Sequence, residues 1–352
     1  MCGYATIYIW IRLSRSSVSK YKMANSTAVA AINIPEAKLS SSASNRKMPV
    51  IGLGTAADNL DEQAMKLAVL EAIKLGYRHF DTASLYGSEK ALGEAISDAL
   101  KLGLVNSREE LFITTKLWPS EAHPDLVVPS LQKSLRNLQM AYVDLYLIHM
   151  PISAKPSDKL QYPIPEQDLL PMDYKGVWES MEECQRLGLT KSIGVSNFSI
   201  KKLETILSFA TIPPSVNQVE MNPVWQQKKL RDYCKAKDII ITAYSPLGAK
   251  GASWGTNLVL ENEALKQIAN VHGKTVAQVC LRWIFEQGVT VVVKSFNKER
   301  MMKNVEIFDW ALSAEDYGKI NQIQQQRVMS QECFVSPRGP FKTLQEFWDE
   351  EC

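Results

Sequence analysis

Asp81, Tyr86, Lys116 and His149 are residues whose types and spacing can deliver a proton to a carbonyl oxygen. Asp81 closes the run RHFD, Lys116 closes LFITTK and His149 closes DLYLIH. Tyr86 follows Asp81 closely, in the loop DTASLYGSE. A free tyrosine has a pKa of about 10 and is a weak acid at neutral pH. A lysine ammonium beside it favours the phenolate and is expected to lower that value. Asp81 keeps Lys116 charged and oriented. Tyr86 then donates the proton, and His149 hydrogen-bonds the same carbonyl oxygen. No side chain supplies a hydride, so this chemistry calls for a nicotinamide cofactor. Each residue alone has a plainer reading. Asp81 can cap a loop, Lys116 can pair with a surface acid, Tyr86 can pack, and His149 can be a satisfied core histidine. Their joint placement at the ends of consecutive strands favours the catalytic reading.

The elements that must position these groups are legible as a β–α alternation. Short β-rich runs fall at 78–83, 111–117, 143–150, 191–197, 216–222, 239–246 and 289–295. Amphipathic stretches such as 61–75, 126–138 and 177–187 separate them. Strand alternating with helix predicts a parallel sheet. Seven runs plus a weaker eighth expected at 307–310 predict an α/β fold of the (β/α)8 TIM-barrel type. An open doubly wound sheet fits the same alternation. In either case reactive groups gather at the C-terminal strand ends, where neighbouring strands lie about 4.8 Å apart.

The chain has 352 residues, enough for one large barrel or two smaller domains. Its 40 basic and 38 acidic residues nearly cancel, so no broad field favours nucleic acid. Six scattered cysteines form no CxxC pair, and four histidines make a multi-histidine metal site a poor reading. Reduced thiols in a cytoplasmic protein are expected. Residues 1–37 read as a flexible extension and 38–352 as one domain. The apolar run near the start is too short to span a membrane and precedes its charges, unlike a signal peptide. A start at Met23 or a transit segment are the two readings of residues 1–22. The stretch 154–171, with four prolines, reads as an ordered loop beyond a strand end. The tail after Gln331 reads as a cover over the barrel mouth, against a frayed terminus as the alternative.

Two segments bear on the cofactor. Gly52-Leu-Gly54-Thr-Ala-Ala57 fits GxGxxA, but its apolar lead-in is short and no clear acid sits at the expected place about 20 residues on. Its glycines are read instead as allowing close approach to a ligand or a tight turn. The stretch from Lys294 to Asn304 follows the seventh run and opens a helix. Lys294 and Arg300 can clamp a phosphate there, and two cations favour the extra 2′-phosphate of NADPH over NADH.

These motifs together resemble the aldo-keto reductases over 47–352. GYRHFDTASLYGSE resembles the signature that holds the catalytic aspartate and tyrosine, here Asp81 and Tyr86. TTKLW and DLYLIH carry the lysine and histidine at Lys116 and His149. GVSNF, VNQVE and AYSPLG resemble the nicotinamide-holding segments. The resemblance implies Ser196 and Asn197 at the carboxamide, Gln218 beside it, and Tyr244 stacked on the ring. Ser245 and Leu247 belong to the same cofactor path, as do Gly54, Thr55 and Asp81. VKSFNKERMMKN implies Lys294, Ser295, Asn297, Arg300 and Asn304 at the 2′-phosphate and adenine. YKGVWESMEEC, NPVWQQKKLRDYC and the ending LQEFWDEE resemble the plant branch with chalcone reductases, codeinone reductases and deoxymugineic acid synthases.

The family's fold implies a small hairpin near 38–50 closing the barrel bottom, and its members imply a monomer. The substrate is then a small carbonyl compound, with Trp118, Met150, Trp254, Phe334 and Trp348 as its expected wall. Trp225 is a further candidate for that wall. Met150, Phe296 and the pair Ala56–Ala57 depart from common family residues, so pocket shape is not inherited. A non-enzymatic NADPH-binding sensor on the same fold and a Rossmann dehydrogenase are the competing readings. Loss of one of the four catalytic residues would favour the first. Dependence on Gly52 or Gly54 rather than Arg300 would favour the second.

Overall fold

The strand runs show no alternation of buried and exposed residues, because both their faces are covered. All six residues of Phe112–Leu117 and all six of Val143–Ile148 are buried. That is the pattern of a parallel sheet enclosed by helices. A computed structural model describes residues 33–41, 46–59 and 61–351. In it eight parallel strands close a barrel in chain order. They are β1 (Ile51–Gly54), β2 (His79–Asp81), β3 (Phe112–Leu117), β4 (Val143–Ile148), β5 (Thr190–Ser196), β6 (Val216–Glu220), β7 (Ile240–Tyr244) and β8 (Thr290–Val293). The closing pair sets Val291 beside Ile51. The barrel is therefore closed, and the open-sheet alternative falls away.

The seven expected runs all become strands, but the eighth is elsewhere. Residues 307–310 are turn and bend, with Ile307 buried in the core. The missing strand is β1, whose sequence IGLG is half glycine and so carries a weak strand signal. Gly52 is required by packing, since a Cβ there would lie 2.7 Å from the His79 ring. The glycine-rich segment is thus a barrel strand, and the segment from Lys294 follows β8, not a seventh strand.

A hairpin pairs Glu36–Lys38 with Lys47–Pro49, antiparallel. Leu39 and Met48 pack on Phe112 and Val216, the first residues of β3 and β6, so the hairpin covers the N-terminal end of the barrel. The extension expected over 1–37 lies outside the described residues as far as residue 32, and the hairpin begins at Glu36. Helices start where side-chain caps satisfy free amides. Asp61 caps Glu62–Lys74, Asp173 caps Tyr174–Arg186, and Thr275 with Gln278 forms a capping box on Val276–Glu286. No helix among the described residues is long and apolar enough to cross a membrane.

Two segments cover the opposite, C-terminal end. The loop after β4 contains a short antiparallel pair, Ser153–Ala154 with Leu169–Leu170. The tail buries Phe334, Phe347 and Trp348 against Trp118 and Met150, so the tail is a cover and not a frayed end. Cys184, Cys234 and Cys280 are buried free thiols and Cys333 is a half-buried one; Cys2 and Cys352 lie outside the described residues.

His79 is wholly buried inside the barrel, with Nδ1 at 3.2 Å from the Pro49 carbonyl and Nε2 at 3.3 Å from Thr114 Oγ1. Burial pushes its pKa down to about 4, against a smaller opposing pull from Asp81. The folded state therefore holds His79 neutral where the unfolded chain, with a pKa of about 6.5, takes up a proton. The stability contribution is complete above about pH 6.5 and is lost as pH falls towards 4, at about 1.4 kcal/mol per unit. His79→Gln is expected to shrink the loss of stability between pH 7.5 and pH 5 by about 2 kcal/mol. Urea unfolding at the two pH values measures it, and an unchanged difference would show that the His79 proton is not the source.

Candidate active site

Consecutive strand ends bring the four chemical residues together as expected. Asp81 ends β2 and is level with Thr114 on β3; Lys116 on β3 is level with Leu147 on β4; His149 follows β4 directly. Tyr86 arrives on the short 3-10 turn Ser84–Tyr86, which Gly87 ends in a left-handed conformation at φ 67°. Ser84 Oγ donates to the Lys116 carbonyl at 3.1 Å and ties this turn to β3.

Lys116 is buried in full and is the hub. Its Nζ donates to Asp81 Oδ1 at 2.6 Å, to the Thr82 carbonyl at 2.9 Å and to the Tyr86 hydroxyl at 3.4 Å. All three ammonium hydrogens thus have acceptors, which is what a buried cation needs. Asp81 Oδ2 accepts from Gln218 Nε2 at 2.8 Å, so both carboxylate oxygens are engaged. The Tyr86 hydroxyl lies 3.4 Å from His149 Nε2, with the two rings edge to face.

The electrostatics differ from the sequence expectation in one respect. Burial pushes the Tyr86 phenol up, and the Lys116 ammonium pulls it down by less. Forming a phenolate in a poorly solvated site outweighs the nearby cation. Tyr86 therefore rests as a phenol with its proton in place. Burial lowers the Lys116 ammonium, but Asp81 and Tyr86 together carry it above its ordinary value. Burial, helped by Lys116, holds His149 well below the usual histidine range. His149 is thus a neutral imidazole at pH 7, able to donate one hydrogen bond without carrying charge.

A cavity of about 1010 Å³ opens over this group. Asp81, Tyr86 and His149 form part of its wall, and Lys116 stands behind them. The expected nicotinamide residues Ser196, Asn197, Gln218 and Tyr244 line it, as do Ser245, Leu247, Gly54, Thr55 and Lys294. They are prearranged. Tyr244 donates to Asn197 Oδ1 at 2.7 Å, and Asn197 Nδ2 donates to the His149 carbonyl at 3.0 Å. Asn197 sits at φ 65°, a region asparagine enters more readily than most side chains. At Gly54 a Cβ would meet its nearest neighbour, on Lys294, only at 3.9 Å, so this face is open to the cavity.

Ser295, Asn297, Arg300 and Asn304 are not on the cavity wall. They lie just beyond Lys294, where Asn297 caps the helix Lys298–Val305 by accepting from the Arg300 amide at 2.9 Å. Arg300 is exposed, whereas Ser295 and Asn304 are buried. Of the expected substrate wall, Trp118, Met150, Trp254 and Phe334 line the cavity. Trp348 does not; it is buried behind, donating its indole N–H to the Ser330 carbonyl at 2.9 Å. Trp225 is also off the wall, with the Arg327 guanidinium 4.6 Å from its ring centre.

Leu85, Tyr162, Met329 and Gln331 also line the cavity and are not among the pocket residues expected from the sequence. Leu85 lies inside the tyrosine signature, between Asp81 and Tyr86, and that position is a usable signal. Tyr162 and Met329 sit in irregular segments with no periodicity to place them. Asp58 accepts from both the amide and the hydroxyl of Ser253 at 2.7 Å, joining the loop after β1 to the loop after β7. No cluster of three or more metal-ligating side chains occurs among the described residues.

A closed parallel barrel with a tyrosine, a buried lysine–aspartate pair and a neutral histidine at its C-terminal rim defines a carbonyl-chemistry site. The chain belongs to the aldo/keto reductase family, whose family model matches residues 50–325. It is 58% identical over 318 residues to the (1S)-1,7-diacetoxy-luvungin A aldo-keto reductase of Citrus sinensis, covering 90% of this chain and 98% of that protein. It is likewise 58% identical over 306 residues to the NADPH-dependent codeinone reductase 1-4 of Papaver somniferum, covering 87% of this chain and 95% of that protein. Among solved structures, a Bombyx mori aldo-keto reductase in complex with NADP matches with TM-score 0.76 and 36% identity, over 86% of this chain and 97% of that one.

Proposed function

We propose that this protein is an NADPH-dependent reductase that converts an aldehyde or ketone of plant specialised metabolism to its alcohol, with Tyr86 as proton donor. The observation that carries this reading is the buried Lys116, bonded at once to Asp81 and to the Tyr86 hydroxyl, with His149 Nε2 on the hydroxyl's far side. NADPH supplies the hydride that no side chain has. The chain's buried amides and Tyr244 fit a nicotinamide, because Asn197, Gln218 and Ser196 line the same cavity as Tyr86, with the Tyr244 hydroxyl bonded to Asn197. Tyr86 gives its proton to the carbonyl oxygen as negative charge develops there. Lys116 stabilises the phenolate left behind, and Asp81 holds Lys116 in place. His149, neutral, donates to the same oxygen and fixes its direction. Trp118, Met150, Trp254 and Phe334 keep water away from the reacting carbon.

The reading takes 38–352 as one catalytic domain, a monomer working in the cytoplasm on a small molecule. The near-neutral charge supports the absence of a nucleic-acid partner. Fluorescence titration with NADPH and NADH, followed by reduced-nicotinamide absorbance with a panel of aldehydes and plant ketones, tests it. NADPH binding with oxidation by one carbonyl supports the reductase. NADPH binding without any turnover favours a sensor on the same fold, and no binding overturns the reading.

Arg300 is assigned to the 2′-phosphate because it is an exposed cation beyond Lys294, at a capped helix start. A guanidinium–phosphate contact contributes about 1.5–3 kcal/mol, so Arg300→Ala is expected to weaken NADPH roughly tenfold to a hundredfold. NADH, which lacks that phosphate, is expected to bind the variant as it binds the parent. Equal losses for the two nucleotides would remove the assignment.

A further inference from the structure

Glu220 ends β6, two residues beyond Gln218, and is wholly buried, yet it takes no part in the proton-transfer group. Its carboxylate reaches to the C-terminal tail. The Val328 amide donates to both oxygens at 3.2 Å, and the Met329 amide donates to Oε2 at 2.8 Å. A barrel strand thus holds a passing segment by two backbone donors, which need an acceptor once they are buried. The gripped segment leads directly into the substrate side of the cavity. Met329, Gln331 and Phe334 all line it. The next carbonyl along, at Ser330, accepts the Trp348 indole N–H at 2.9 Å. Trp348 meets Phe347 edge on at 4.9 Å, Phe347 stacks on Phe334 at 6.0 Å, and Phe334 meets Trp118 at 6.2 Å. The anchor is therefore continuous with the aromatic wall beside the reacting group, where Trp118 meets the His149 ring edge on at 5.2 Å.

We infer that Glu220 is a positioning residue for substrate selection: it fixes the tail segment that carries Met329, Gln331 and Phe334, and so sets the room left for the bulk of the carbonyl substrate. The inference rests on the reductase reading above. Glu220 touches neither substrate nor the reacting atoms; it acts through the tail. Burial carries its carboxyl above the ordinary carboxylate value, against smaller downward pulls from the Met329 amide, Arg327 and the Val328 amide. Glu220→Gln keeps the shape but sets an NH₂ donor against one backbone donor. The Val328 amide then keeps only one of its two acceptors and faces an NH₂ group at the other, so the hold on the segment is weakened.

The test compares the parent and Glu220→Gln with propanal, benzaldehyde and 2-naphthaldehyde, at saturating NADPH. The expected result is a fall of about tenfold in kcat/KM for 2-naphthaldehyde relative to propanal, carried by KM, with kcat for propanal within about twofold of the parent. A role in folding alone lowers all three substrates by one factor, and that outcome overturns the inference; so does an unchanged ratio. Hydrogen exchange on the parent protein covers the case of a variant that does not fold. Amides of 326–331 are expected to exchange as slowly as barrel-strand amides, and exchange at the rate of open loops also overturns the inference. If the parent reduces none of the aldehydes or any wider carbonyl panel while binding NADPH, the reductase reading fails, and slow exchange at 326–331 then shows an anchor without a substrate-selecting role.

Discussion

Tyr86→Phe is expected to lower kcat by about a thousandfold and to leave the NADPH dissociation constant within about twofold of the parent, because positioned proton transfer contributes about 10²–10⁴ in rate. The hydroxyl is the single atom removed, and it sits between Lys116 Nζ and His149 Nε2, each 3.4 Å away. No other acid can take over. Lys116 is behind the cavity wall, still held by Asp81 and the Thr82 carbonyl, and His149 is held neutral by burial. A neutral imidazole is a much weaker acid than an imidazolium, so His149 orients the oxygen without protonating it. Tyr86 itself rests as a phenol, since burial outweighs Lys116. The cation therefore acts mainly in the transition state, as the phenolate forms, which raises kcat more than it tightens substrate binding. The cofactor residues do not depend on the hydroxyl: Asn197 is held by Tyr244 and the His149 carbonyl. Turnover in Tyr86→Phe at more than about a tenth of the parent rate would remove Tyr86 as the acid.

The proton-transfer group is readable in the sequence because its members are charged or polar residues at or just beyond the ends of consecutive β-rich runs. The cofactor side is readable largely through motif resemblance, and the structure lines most of those residues along one cavity. Two things are hidden. The strand Ile51–Gly54 carries almost no pattern, because its second residue must be glycine to admit the His79 ring. A steric demand from a residue on the next strand is not written in local periodicity. The substrate wall is the other. Trp348 is expected on it and instead backs it, while Tyr162 and Met329 lie on it from irregular segments. Whether an aromatic residue in a loop faces a cavity or a neighbour depends on anchors such as Glu220, distant in sequence by more than a hundred residues. The direction of the Tyr86 shift is hidden for a related reason, since burial is a property of the assembled rim.

Lys116→Met is expected to be the most damaging single change to stability, with a rate loss comparable to that of Tyr86→Phe. Removing one partner of a buried ion pair leaves the other charge uncompensated, at a cost of about 3–5 kcal/mol. Here the stranded group is Asp81, 3% exposed, left with Gln218 Nε2 as its side-chain donor. Activity falls by a separate route, since the phenolate formed at Tyr86 loses its cation, and a loss of about a thousandfold is expected in the folded fraction. The two effects separate in a double variant. Lys116→Met with Asp81→Asn removes both charges, so no buried ion remains, and the pair is expected to regain most of the lost stability. It regains none of the rate, because nothing then stabilises the phenolate. Urea unfolding and single-turnover rates of the parent, both single variants and the double variant provide the test. If the double variant is no more stable than Lys116→Met, the unpaired Asp81 charge is not what destabilises the single variant. If it recovers turnover, the positive charge on Lys116 is not what Tyr86 needs, and the lysine serves only to neutralise Asp81.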